Sequence, residues 1–169
     1  MLKEKINQDI KKALKEKKEL ELLVLRGVNS EIHNKEIEKT RQKRKAHLGG
    51  PATIPPEADL GGELIEEEIV EVISGEAKKR KDSIVEFEKG KRQDLAEKEK
   101  KELEILKKYL PEQMNEEQIK EEAKKFIEEV GAAGPQDTGK VMSVLMPKLK
   151  GKAEGSIVSK IVGELLRND

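Results

Sequence analysis

The only side chains in this sequence whose ordinary titration falls between pH 5 and 8 are His33 and His47, and there is no cysteine. Acid–base or nucleophilic catalysis by either imidazole needs a hydroxyl or carboxylate partner in a triad-like arrangement. Neither histidine has one, and both read as solvated surface residues. The runs Glu66-Glu67-Glu68 and Glu116-Glu117 could act as paired carboxylates. In a chain with 41% charged residues they read as solvated helix faces. No His or Cys spacing suits a metal, and no GxxxxGK[ST] or GxGxxG loop is present. The sequence therefore assigns no catalytic residue, no metal and no cofactor.

Positive charge is a better candidate for chemistry. Between Gly139 and Lys160, five lysines (Lys140, Lys148, Lys150, Lys152 and Lys160) face Glu154 alone. Lys148, Lys150 and Lys152 fall on the turn between two expected helices, and the second helix, capped by Ser156, aims its N-terminal amides at that turn. A phosphate-like anion is favoured there, and Gly139, Gly151 and Gly155 would let the backbone approach it. The competing reading is a turn made soluble by its lysines. Two basic clusters lie upstream. One, at Lys39, Arg41, Lys43, Arg44 and Lys45, also complements a helix C-terminus. The other, at Lys78, Lys79, Arg80 and Lys81 with Arg92 further on, is a secondary candidate.

The elements that position these residues are helical. Aromatics make up 2% of the 169 residues, so the core must be built from Leu, Ile, Val, Met and Ala. Leu2, Ile6, Ile10, Ala13 and Leu14 form one 3.6-period stripe. Leu20, Leu23, Val24, Val28 and Ile32 form a second, on a helix running to about Arg44 in which Gly27 either admits a neighbour or is a tolerated surface glycine. Residues 48–62 carry two glycine pairs and three prolines and read as a flexible loop or insertion. A third helix from Glu63 to Lys89 turns Ile65, Ile69, Val72, Ile73, Ala77, Ile84 and Phe87 inward, and Gly90 ends or kinks it. A fourth runs from Arg92 to Tyr109. Pro111 punctuates the chain, giving an elongated N-terminal helical hairpin or bundle over 1–110 and a small three-helix domain over 111–169. Asn115 and Gln118 form a capping box, and Asp137 is placed as the cap of the helix ending near Lys148. The fold class is all-α.

Net charge is zero, so any attraction to nucleic acid must be local. With one tyrosine and two phenylalanines, base stacking is scarce, and contact would run through phosphates and shape, as on a folded RNA. The apolar runs are too short to span a membrane, and Met-Leu-Lys-Glu-Lys does not read as a signal peptide, so the expected location is cytoplasmic.

Stretches spread along nearly the whole chain resemble the GatB/YqeY family, specifically its free-standing YqeY-like members. They are Ile6 to Lys11, Arg80-Lys81-Asp82-Ser83 with Phe87, Arg92 to Leu95, Tyr109 to Gln113, Gly139 to Met142, Met146-Pro147-Lys148 and Lys150 to Gly155. The segment from about Thr40 to Gly62 departs from the pattern. The resemblance implies an all-helical protein with a small C-terminal domain. It is similar to the tail domain of the GatB subunit of glutamine-dependent tRNA amidotransferase, which helps hold tRNA. It also carries the family label of carbon–nitrogen ligase with glutamine as amido-N-donor. The expected role is that of a tRNA-binding accessory acting through the basic turn. The alternatives are a helical protein–protein interaction module, docking a protein partner through the N-terminal helices, or amide transfer itself.

Overall fold

The computed structural model describes residues 1–48 and 62–167, without the side chains of 46–48. The loop expected over 48–62 therefore lies, from 49 to 61, outside the described residues, as does the side chain of His47. Among the described residues there are seven α-helices, one 3-10 turn and no strand, so the fold is all-α. The helices are α1 (Leu2–Lys15), α2 (Glu19–Leu48), α3 (Glu66–Lys89), α4 (Gln93–Lys107), α5 (Glu116–Val130), α6 (Thr138–Lys148) and α7 (Gly155–Leu165), with the 3-10 turn at Pro135–Asp137. They fall into two compact units, Met1–Tyr109 and Leu110–Asp169.

In the first unit α1 packs on α2 and α3 on α4, each pair joined by a tight turn. The apolar stripes that close it are Ile6 and Ala13 of α1, Val24, Leu25, Val28 and Ile32 of α2, Ile69, Ile73 and Ala77 of α3, and Ala96, Leu103 and Leu106 of α4. Two expectations are corrected and one open choice is decided. Leu14 and Leu23 are 56% and 59% exposed, because each sits one position off its helix's buried stripe. Ile65 is 60% exposed, since α3 starts at Glu66 and leaves it outside the first turn. Gly27 has open space where a Cβ would stand, so it admits no neighbour. The turns close on lysines in the left-handed region, Lys17 (φ 55°) and Lys91 (φ 56°), whereas Gly90 has ordinary φ.

Charge also lies between these helices. Arg80 of α3 reaches Glu102 of α4 at 3.0 Å, Glu99 at 3.5 Å and Glu76 of its own helix at 3.2 Å. Glu76 and Glu102 are both buried. Lys3 pairs with Glu36 and Lys39 with Glu68, linking α1 to α2 and α2 to α3.

The second unit is a three-helix bundle with one continuous apolar cluster. Ile119, Ala123, Phe126 and Ile127 of α5 meet Val141 and Leu145 of α6 and Val158, Ile161 and Val162 of α7. The capping box forms as its spacing predicts: Gln118 N donates to Asn115 Oδ1 at 2.8 Å and Asn115 N to Gln118 Oε1 at 3.0 Å. Gly131 (φ 62°) ends α5 in the left-handed conformation. Asp137 stands at the start of α6 but makes no capping bond; its Oδ2 accepts from Ala133 N at 3.0 Å, closing the loop instead.

Candidate nucleic-acid interface

Pro147 occupies the last turn of α6, and the helix ends one residue later at Lys148. Leu149 then turns into the core at 3% exposure and anchors the next segment, while Lys148, Lys150 and Lys152 stay exposed around it. Gly151 lies at φ 76°, where an L side chain costs about 1–2 kcal/mol. Lys152 N donates back to Leu149 C=O at 2.9 Å. The segment entering α5 straps this turn from outside. Gln113 Nε2 donates to Gly151 C=O at 2.6 Å, and Met114 N donates to Lys152 C=O at 2.8 Å. The backbone carrying three lysines is thus held by bonds that the turn's own residues could not supply.

Lys148 is fixed further. Its Nζ lies 4.2 Å from the centroid of the Phe126 ring, and Phe126 is otherwise core. A cation on a ring face is worth about 0.5–1 kcal/mol at an exposed site, enough to bias one rotamer without neutralising the charge. Just beyond, α7 begins at Gly155 with Glu154 at the capping position and no side-chain cap. The sequence expects Ser156 to be that cap, but the cap position falls two residues earlier and leaves Ser156 inside the helix. Glu154 makes no capping bond, so no side chain caps the start of α7, whose dipole adds positive potential there, while the Glu154 carboxylate stands at the same end.

The other expected residues are placed elsewhere. Lys140 is eight residues from Lys148 along α6, about 12 Å at 1.5 Å per residue. Its Nζ donates to Val130 C=O at 2.6 Å, so it satisfies the end of α5. Lys160 lies beyond the first turn of α7, with Glu164 at 4.0 Å. Gly139 sits in the first turn of α6 in open space. A Cβ on Gly155 would come within 3.3 Å of Met146 Cε, so that glycine serves the packing of α7 on α6. Of the secondary candidates, Arg80 is enclosed by its three carboxylates and Lys79 lies 2.6 Å from Glu76. Arg92 pairs with Asp94 at 3.1 Å, and Lys81 lies half-buried on α3. The turn thus brings together Lys148, Lys150 and Lys152 but neither Lys140 nor Lys160.

Sequence reasoning missed Gln113, Met114 and Phe126. Gln113 closes the stretch Tyr109 to Gln113, but its partner is 38 residues away, and no local pattern announces it. Phe126 reads as a core residue, and only the packing of α5 beside the end of α6 makes its face available to a lysine.

The Yqey-like protein family model matches residues 52–166. A protein of Clavispora lusitaniae named "Altered inheritance of mitochondria protein 41, mitochondrial" is 35% identical over 126 residues, covering 73% of this chain and 61% of that protein. Its namesake from Kluyveromyces lactis is 38% identical over 104 residues, covering 62% of this chain and 45% of its own length. The chain thus spans about half the length of the curated relatives it matches. Their names overturn the expected cytoplasmic location, since they are those of mitochondrial proteins. The expectation rested on composition and a mixed-charge beginning, which report how a surface is solvated and carry no compartment address. The match over residues 52–166, together with the all-helical fold, makes this chain a member of the YqeY-like family.

Proposed function

We propose that the C-terminal unit docks a folded RNA of the tRNA class through the phosphate backbone, with Lys148, Lys150 and Lys152 as the contacting cations. The observation that supports this most is the strapped turn: three ammonium groups on a backbone held from outside by Gln113 and Met114, beside an uncapped helix N-terminus. A turn that served only solvation would need no such fixing. A held backbone, and in Lys148 a side chain held over the Phe126 ring, leaves less freedom to lose on meeting phosphate. Binding of this kind is tolerant of sequence and steep in salt, and the unit's exposed surface has no ring for base stacking, since Phe126 is core.

The test is a salt titration of tRNA binding by the full chain. Log affinity should fall linearly with log salt. Replacing Lys148, Lys150 and Lys152 together by Gln should flatten the slope by about 0.7–0.9 for each phosphate that the variant no longer neutralises. Absence of salt-sensitive tRNA binding at low ionic strength, or an unchanged slope in a folded triple variant, refutes the reading.

A further inference from the structure

Asp9, in the stretch beginning at Ile6, meets Tyr109 in the first unit, and the basic turn uses neither residue. Tyr109 Oη donates to Asp9 Oδ2 at 2.7 Å across a hundred residues of sequence, and Lys5 Nζ lies 5.3 Å from the centroid of the Tyr109 ring. Burial, then the Asp9 carboxylate, pushes the phenol well above its usual range, so it remains a neutral donor. Beside this pair opens a cavity of about 130 Å³, walled by α1, the α1–α2 turn and the end of α4, with Ala13 and Tyr109 among its lining. None of its residues belongs to the second unit.

The charges lining the cavity are not evenly satisfied. Four lysines face three carboxylates. Lys18 holds Glu16 at 2.7 Å and lies 3.9 Å from Glu21, while Asp9 receives the Tyr109 hydroxyl. Each carboxylate therefore has an internal partner. Lys5, Lys12 and Lys108 have no carboxylate within ion-pair distance among the described residues, yet all three line the cavity. Lys5 and Lys12 stand seven residues apart on one face of α1, and Lys108 approaches from the end of α4. Separate backbone segments thus bring to one small space three lysines without a carboxylate in ion-pair contact, Lys5 lying over the Tyr109 ring and Lys12 acting on Glu16 only from a distance. The space is well below the roughly 300 Å³ at which nucleoside-sized pockets begin.

We propose that this cavity is a binding site for a small tetrahedral oxyanion of the phosphate class, held by Lys5, Lys12 and Lys108 and independent of the RNA contact. Ammonium groups act as point charges on phosphate oxygens, so three of them from different segments can surround one group without a preformed fork. Occupancy would tie α1 to the end of α4 and stabilise the first unit by mass action.

The protein carries its own probe. With one tyrosine and no tryptophan, its intrinsic fluorescence comes from Tyr109, which lines the cavity. Titration with inorganic phosphate should change that emission saturably, with a midpoint on the order of 1 mM, and raise the thermal midpoint of the full chain. Sodium chloride at matched ionic strength should do neither. Lys12→Gln and Lys108→Gln should each weaken phosphate about tenfold, whereas Lys101→Gln, outside the cavity, should leave it unchanged. A phosphate monoester that competes with inorganic phosphate points to an esterified ligand, and one that does not points to the free ion. Emission and midpoint that both ignore phosphate overturn the proposal. So does an equal response to chloride, or equal weakening by Lys101→Gln.

Discussion

In the N-terminal unit ion pairs cross from helix to helix: Lys3 to Glu36, Lys39 to Glu68, Arg80 to Glu99 and Glu102. The two buried charged side chains among the described residues, Glu76 and Glu102, both belong to it. In the C-terminal unit, Lys125 with Glu122 and Lys160 with Glu164 pair along a single helix, and the core between α5, α6 and α7 is apolar throughout. Of its turn lysines, Lys150 and Lys152 are exposed and Lys148 lays its ammonium over the Phe126 ring at the edge of that core. One unit thus commits charge to holding its own helices together, while the other relies on apolar packing and presents charge on a fixed loop. That difference favours the second unit for the proposed polyanion contact, although the first carries more of the chain's lysines and arginines.

The strongest way to break the contrast is to attack the apolar core. Leu145 is fully buried between α5 and α7, and Leu145→Ala should cost about 3–4 kcal/mol in transfer and cavity terms. A unit this small has a total stability of about 3–5 kcal/mol, so α5–α7 should lose amide-exchange protection while α1–α4 keep theirs. Retained protection across α5–α7 would show that something other than this core holds the unit.

Charge should matter next most, and only in the first unit. Arg80→Ala leaves Glu102 buried without its partner and should destabilise the N-terminal transition in urea by about 3 kcal/mol. Arg80→Met combined with Glu99→Gln and Glu102→Leu removes the cation and the two α4 carboxylates that face it, and Glu76 keeps Lys79, so most of the stability should return. A cost below about 1 kcal/mol for the single variant would reduce these pairs to ordinary surface bridges and erase the contrast.

Much of this architecture was legible in the residues, and the boundary of legibility is physical. Stripes such as Ile119, Ala123, Phe126 and Ile127 mark helices because burial repeats every 3.6 residues, and Asn115 with Gln118 marks a start because the cap is local. Ser156 looked like a cap by the same rule, yet Glu154 stands in that place, and Asp137 stands where expected but turns its carboxylate to Ala133 N, because the chain's path between helices decides which amide a side chain meets. The three lysines of the turn were visible as a cluster. The strap from Gln113, the ring under Lys148 and the meeting of Asp9 with Tyr109 were not, since each joins segments far apart in sequence. Lys140 misled because a lysine near a basic turn looks the same whether it faces solvent or satisfies the end of a neighbouring helix.

The smallest effect sharpens the comparison at the level of backbone. Both units place residues in the left-handed region, but the C-terminal unit uses glycine there, at Gly131 (φ 62°) and Gly151 (φ 76°), and the N-terminal unit uses lysine, at Lys17 (φ 55°) and Lys91 (φ 56°). Lys91 is exposed, and its backbone N donates to Glu88 C=O at 3.1 Å, a bond that glycine would keep. A Cβ in that conformation crowds the following carbonyl, at about 1–2 kcal/mol, whereas glycine gives back part of this through greater freedom in the unfolded chain. Lys91→Gly and Lys17→Gly should therefore each stabilise the N-terminal unit, by about 0.5–1 kcal/mol, and add when combined because they act at different helix junctions. The mirror-image change, Gly131→Ala, should destabilise the C-terminal unit by about 1 kcal/mol, with open space around it leaving backbone strain as the sole cause. Urea midpoints moving in opposite directions for the two kinds of substitution would establish that the left-handed turns of the first unit are strained and those of the second are not. A lower midpoint for Lys91→Gly would mean instead that its side chain contributes more to the α3–α4 turn than its backbone takes away.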